Sequence, residues 1–144
     1  MEPLINEQWE YQIRVELDSE TAELVRGNPT HPRCQKFNAL LAEHGAVMKC
    51  QLDAFVEYVS ETERQGQADS PLYRWTKATI EQPSKRSKYL RFFTIYVNGR
   101  EVYGLAAAEA LEASLGALED PGIMGISKYD TNPANNPQVP ERYR

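Results

Sequence analysis

The sequence predicts an α+β domain, a mainly antiparallel sheet with two helical segments packed on one face, and three stretches carry that expectation. Trp9, Tyr11, Ile13, Val15 and Leu17 alternate with Glu10, Gln12, Arg14 and Glu16, the period-two pattern of a half-buried strand. Tyr89–Val97 is dense in aromatic and β-branched residues and runs into Asn98-Gly99, the dipeptide of a tight hairpin turn. The alanine-rich stretch Leu105–Glu119 places Leu105, Ala108, Leu111, Leu115 and Leu118 on one helical stripe.

The remaining elements follow from local signals. Asp18 is an N-cap before a short helix, Ser19–Arg26, which Gly27-Asn28-Pro29 stops. Thr30-His31-Pro32 opens a second helical stretch with Cys34, Phe37, Leu40 and Leu41 on one face and Gly45 as its stop. Ala46–Arg64 fits two periods. Met48, Cys50, Leu52, Ala54, Val56 and Tyr58 alternate as in a strand, whereas Leu52, Phe55, Val56 and Val59 fall at helical spacing. The alternation begins directly after Gly45, which favours a strand through about Tyr58. Gln65–Pro71 reads as a loop, Leu72–Ile80 as a strand and Gln82–Ser87 as a basic turn around Pro83. The chain then returns from Asn98-Gly99 through Arg100–Tyr103, and Ile123–Tyr129 is a last strand after Asp120-Pro121-Gly122. Two β-α-β units around one sheet suggest a ferredoxin-like sandwich with an added hairpin. Residues 1–130 form the expected domain, and 131–144, rich in Asn and Pro, an extended or disordered tail.

At 144 residues the chain suffices for one core without disulfides or metal. Its two cysteines are too few for a disulfide framework, so reduced thiols in the cytoplasm are expected. Met1–Gln8 lacks the basic start and apolar run of a secretory signal, and the most apolar stretch, Gly104–Leu118, is interrupted by Glu109 and Glu112, which excludes a membrane span. The net charge of −5 conceals a segregation. Residues 1–30 carry seven acids against Arg14 and Arg26, while 71–100 carry Arg74, Lys77, Lys85, Arg86, Lys88, Arg91 and Arg100 against Glu81 alone. Such a basic island either meets an anionic partner or is neutralised by the chain's own acids.

Most chemistry-bearing patterns fail on geometry. His31, Cys34, His44 and Cys50 are the residue types of a zinc site, yet a helix over 33–43 separates Cys34 from His44 by roughly 15 Å, too far for one tetrahedral centre. Cys34 lies near a helix start beside Arg33, which would favour a thiolate. It nevertheless shares a face with Phe37 and Leu41, as a core cysteine does. Gly122-Ile123-Met124-Gly125 precedes a strand rather than a helix, so it is no phosphate cradle. Glu109 and Glu112 lie on the solvent side of a helix, and Asp53 and Glu57 on the outer face of the expected strand, without the enclosure that acid-base chemistry needs. The pattern implies neither cofactor nor metal.

Ile95-Tyr96-Val97-Asn98-Gly99 resembles the first-strand motif of RNA-recognition domains, which would imply a base stacked on Tyr96. The resemblance covers only part of the chain. No residues remain for that family's third strand, second helix and last strand, and a hairpin turn at Asn98-Gly99 accounts for the same residues.

These readings leave a small protein-interaction or assembly module without catalytic activity. Its expected site is Lys85, Arg86, Lys88, Arg91 and Tyr96, and its expected partner a protein with an acidic patch or, as a homo-oligomer, another copy of itself. The acidic total disfavours a nucleic acid. Two alternatives remain: a small-molecule enzyme with a pocket between sheet and helices, and a single-strand binder along Tyr73–Tyr96, where cations and aromatics interleave.

Overall fold

Four strands in the order β2-β3-β1-β4, every neighbour antiparallel, organise the molecule. The computed structural model describes residues 9–144, and the expectation for Met1–Gln8 lies outside them. The strands are β1 (Tyr11–Leu17), β2 (Ala46–Cys50), β3 (Phe92–Val97) and β4 (Ile123–Asp130). The helices are α1 (Ser19–Gly27), α2 (Gln35–Glu43), α3 (Gln51–Arg64), α4 (Pro71–Glu81), α5 (Pro83–Tyr89) and α6 (Leu105–Leu118). β1 and β2, joined through α1 and α2, flank β3; β3 and β4, joined through α6, flank β1. Two interleaved split β-α-β units result, the ferredoxin-like connectivity, with α3–α5 inserted between β2 and β3.

The alternation in β1 fixes which face is dry. Ile13, Val15 and Leu17 are completely buried, and the register aligns Ile13 with Ile95 and Val15 with Phe93. α6 covers β1 and β4 from this side, and Ala108, Leu111 and Leu115 enter the core as their spacing predicts. Phe37, Leu40 and Leu41 of α2 fill the space beside β2. The opposite face carries Gln12, Arg14, Glu16, Thr94 and Tyr96. Its center is satisfied by side chains: Gln51 Nε2 donates to Thr94 Oγ1 at 3.2 Å, Gln12 to the Glu101 carbonyl at 3.3 Å, and the Arg14 guanidinium lies 4.3 Å over the Tyr129 ring.

Four expectations need correction. The strand expected through Tyr58 stops at Cys50, the residue paired with Phe93 near the start of β3, and the chain continues as α3 with Leu52, Val59 and Thr62 buried. Asp53 and Glu57 therefore sit on a helix. Leu72–Ile80 is helical despite its β-forming side chains, because Ser70 Oγ accepts from the Tyr73 N–H at 3.1 Å and Pro71 occupies the first turn. The basic turn around Pro83 is the short helix α5, again opened by a proline at its first position. Asn98-Gly99 does form the tight turn, both residues having positive φ and Val97 and Arg100 exchanging hydrogen bonds at 2.9 Å. The return strand, however, ends at that single bridge, since Tyr103 crosses to pair with Tyr11.

That crossing has a cause. The Tyr103 hydroxyl, buried in the core, accepts from the Ile13 N–H at 3.0 Å and donates to the Ile95 carbonyl at 2.7 Å, bridging the two central strands. Beyond it Tyr11 and Tyr103 exchange backbone bonds at 2.6 and 2.8 Å. After β4 the chain makes two short turns, Pro133–Asn135 and Glu141–Tyr143, and the Arg74 guanidinium of α4 donates to the Tyr143 carbonyl at 2.8 and 2.5 Å. No helix among the described residues is long and apolar enough to cross a membrane.

Tyr103→Phe keeps the packing and leaves two buried backbone groups without their bridge. It should cost about 1–3 kcal/mol in urea unfolding; a loss below about 0.5 kcal/mol would show that the bridge is dispensable.

Candidate functional site: a cationic helix at one end of the sheet

β3 starts opposite the end of β1, since Phe92 pairs with Glu16 and the Leu17 N–H donates to the Arg91 carbonyl at 2.8 Å. Two elements meet the sheet at that end. α5 leads into β3 through Leu90 and Arg91, and α1 leaves β1 through Asp18. α5 buries no residue, and Pro83–Lys88 is exposed throughout. It is held at its end, where Tyr89 packs edge-on against Phe55 of α3 at 5.0 Å between ring centers and against Phe92 at 6.4 Å.

The basic segment 71–100 is sorted into two sets by its partners. Lys77 binds Glu63 at 3.0 Å, Arg91 binds Glu16, and Arg100 binds Glu10 at 2.7 Å. Among the described residues, no carboxylate lies within 4.0 Å of Lys85, Arg86 or Lys88. Arg86 has a structural task, donating to the Ile80 carbonyl at 2.9 Å near the end of α4, where a cation also suits the helix dipole. The Lys88 ammonium lies 5.2 Å from the Tyr89 ring center and 5.9 Å from that of Phe92. Lys85 has no polar side-chain contact among the described residues.

The five residues expected to form one site are thus divided. Lys85, Arg86 and Lys88 are together on α5, and Arg91 is engaged with Glu16 on the sheet. Tyr96 lies four residues further along β3, roughly 13 Å from Phe92. It lines an open groove of about 660 Å³ beside α3, with Lys49, Glu57 and Arg64. Burial raises its phenol above the ordinary tyrosine range. The carboxylates there are paired with cations, Lys49 with Glu57 at 2.5 Å and Arg64 with Glu61. Asp53, which the sequence places on the outer face of a strand, instead holds Arg26 of α1 at 2.9 Å beside the free edge of β2.

The cysteines fall into the core. Cys34 and Cys50 are buried and unpaired, and burial pushes both thiols up, against the activated thiolate that Arg33 would favour. His31 caps the turn before α2, its Nδ1 accepting from the Arg33 N–H at 3.0 Å. Cys34, Phe37, Leu41 and Met48 line an apolar groove of about 290 Å³. Among the described residues, no three His, Cys, Asp or Glu side chains converge as metal ligands.

The other element at this end is acidic. Asp18 begins α1, its Oδ1 accepting from the Thr21 N–H at 2.8 Å, and its own N–H donates to the Gly122 carbonyl at 2.9 Å. Glu20 and Glu23 follow, exposed, and Glu119 stands exposed at the end of α6. Arg33 and the buried Asp120, paired at 3.2 Å, hold the loop before β4 against α1. Gly122 is obligatory there, because a Cβ would stand 2.3 Å from Thr21 Oγ1. Sequence reading missed this acidic rim, whose members come from segments about a hundred residues apart in the chain. Its one local signal is the Asp18-Ser19-Glu20 helix start.

Comparisons with known protein families, with curated proteins and with solved structures find no match to this chain.

The hydrogen bond from the Thr21 backbone holds the Asp18 carboxyl below its ordinary value. A lowered folded-state value means that the stabilisation is complete above the unfolded pKa, near 3.9, and is lost as pH falls through the folded one. Asp18→Ala should therefore cost about 1 kcal/mol at neutral pH. In urea titrations the difference should shrink as pH falls below the unfolded value, and an undiminished difference in acid would contradict an ionic cap.

Proposed function

We propose that this protein is an interaction module that docks an acidic protein surface through α5. One observation carries this reading: Lys85, Arg86 and Lys88 share the exposed stretch Pro83–Lys88 of α5 without a carboxylate within 4.0 Å among the described residues, while Lys77, Arg91 and Arg100 of the same basic segment are paired. A cation with no internal carboxylate keeps its charge available, and its attraction for an acidic surface acts over about 8 Å at physiological ionic strength. Tyr89 and Phe92, half-buried beneath Lys88, give the same surface an aromatic floor that a partner side chain can reach.

The chain's net charge of −5 favours a compact acidic protein over a long polyanion, which the remainder of the surface would repel. The outer face of the sheet is occupied by its own hydrogen bonds at Gln12, Gln51 and Thr94, which leaves little stacking platform for bases. Two buried, unpaired thiols suit a reducing compartment, and we place the module in the cytoplasm.

The test uses Lys85→Glu/Lys88→Glu and spares Arg86, which caps α4. Binding of a fluorescent Asp/Glu-rich peptide to the intact chain should weaken at least tenfold at low salt, with stability changed by no more than about 0.5 kcal/mol. Undiminished peptide binding, or tighter capture of single-stranded nucleic acid than of the peptide, would overturn the reading.

A further inference from the structure

We propose that the acidic surface that α5 meets is α1 of a second copy of this chain, in a two-fold symmetric dimer formed at the β1–β3 end of the sheet. This rests on α5 being a binding surface, as proposed above, and names its occupant. The end of the sheet carries both signs of charge, held apart. α5 presents Lys85, Arg86 and Lys88, and α1 presents Glu20 and Glu23, exposed and without a cation within 4.0 Å among the described residues. The two helices do not neutralise each other within one chain: no ion pair joins α1 to α5 among the described residues, and α5 packs with α3, α4 and β3. Glu16 and Arg91, which lie between them on the sheet, are already engaged with each other.

An end that carries a positive helix and a separate negative helix is complementary to itself. A two-fold axis through that end sets α5 of each copy against α1 of the other, so one contact is made twice, as an isologous interface requires. The positions of both helices are well fixed. α1 is held by its Asp18 cap and by the Asp18 N–H bonded to the Gly122 carbonyl, and α5 is fixed through Tyr89 and the Arg86 bond to α4. Helices already fixed in position lose little backbone freedom on meeting, which favours a specific pair over diffuse attraction.

Sedimentation velocity on the intact chain tests this with a charge exchange. Wild type should dimerise at about 0.05 M salt, and its dissociation constant should rise at least tenfold by about 0.5 M. Lys85→Glu/Lys88→Glu and Glu20→Lys/Glu23→Lys should each be monomeric, because both copies of the contact become repulsive. An equimolar mixture of the two should dimerise again, since each contact then joins opposite charges. A monomeric wild type at low salt, or a mixture that stays monomeric, overturns the dimer. If a variant does not fold, the salt dependence of the wild type alone decides. A monomeric wild type that still binds the acidic peptide rejects the second copy as partner and leaves α5 as a binding surface; one that binds no peptide rejects both.

Discussion

β1 holds the center of the sheet, and its two ends are tied to β3 in different ways. At one end the Leu17 N–H bonds to the Arg91 carbonyl, an ordinary ladder contact that also fixes where α5 delivers the chain into β3. At the other end the Tyr103 hydroxyl bridges the Ile13 N–H and the Ile95 carbonyl. Both edge strands depend on this central pair, because β2 joins the sheet through β3 and β4 through β1. The alternating burial of Ile13, Val15 and Leu17 leaves one register, since a one-residue slip would bring Gln12, Arg14 and Glu16 into the core. Once the register is set, the positions of α1 and α5 at the same end of the sheet follow from chain continuity.

The central strands and α6 were legible because each rests on a local pattern that packing does not contradict. The alternation in β1 and the alanine-rich stripe of α6 recur in the structure at nearly their expected bounds, whereas the strand expected over Tyr89–Val97 begins only at Phe92, because Tyr89 closes α5. The insertion was not legible from periodicity. Tyr73, Trp75, Thr76 and Thr79 are strand formers by propensity, but a helix packed between α3 and α5 with Tyr73 bonded to Glu63 at 2.5 Å outweighs a preference worth a fraction of a kcal/mol per residue. The overlooked signals were Ser70-Pro71 and Gln82-Pro83, prolines preset for a first helical turn. In Ala46–Arg64 both periods were real, and the chain uses them in succession: five residues of strand, then α3.

The candidate site was half legible. Charge counting along the chain located the basic island, and the structure reduces it to the three cations of α5 by pairing Lys77, Arg91 and Arg100 with carboxylates and Arg74 with the Tyr143 carbonyl. Tyr96 shared only a strand with that island, and alternation says nothing about which end of a strand a partner approaches. The acidic rim had only the Asp18-Ser19-Glu20 helix start as a sequence signal, because Glu20, Glu23 and Glu119 are brought to one end by the Asp18–Gly122 bond and the Arg33–Asp120 pair.

The most direct test of that sorting is a heteronuclear NMR titration of the isotope-labelled protein with the Asp/Glu-rich peptide. Amide shifts should concentrate at Ser84–Phe92 and fade as salt is raised, with Lys77 and Arg100 unaffected because their charges are engaged. Shifts centered on Val25 and Met48 along the free edge of β2, or on Tyr96 and α3, would contradict the account.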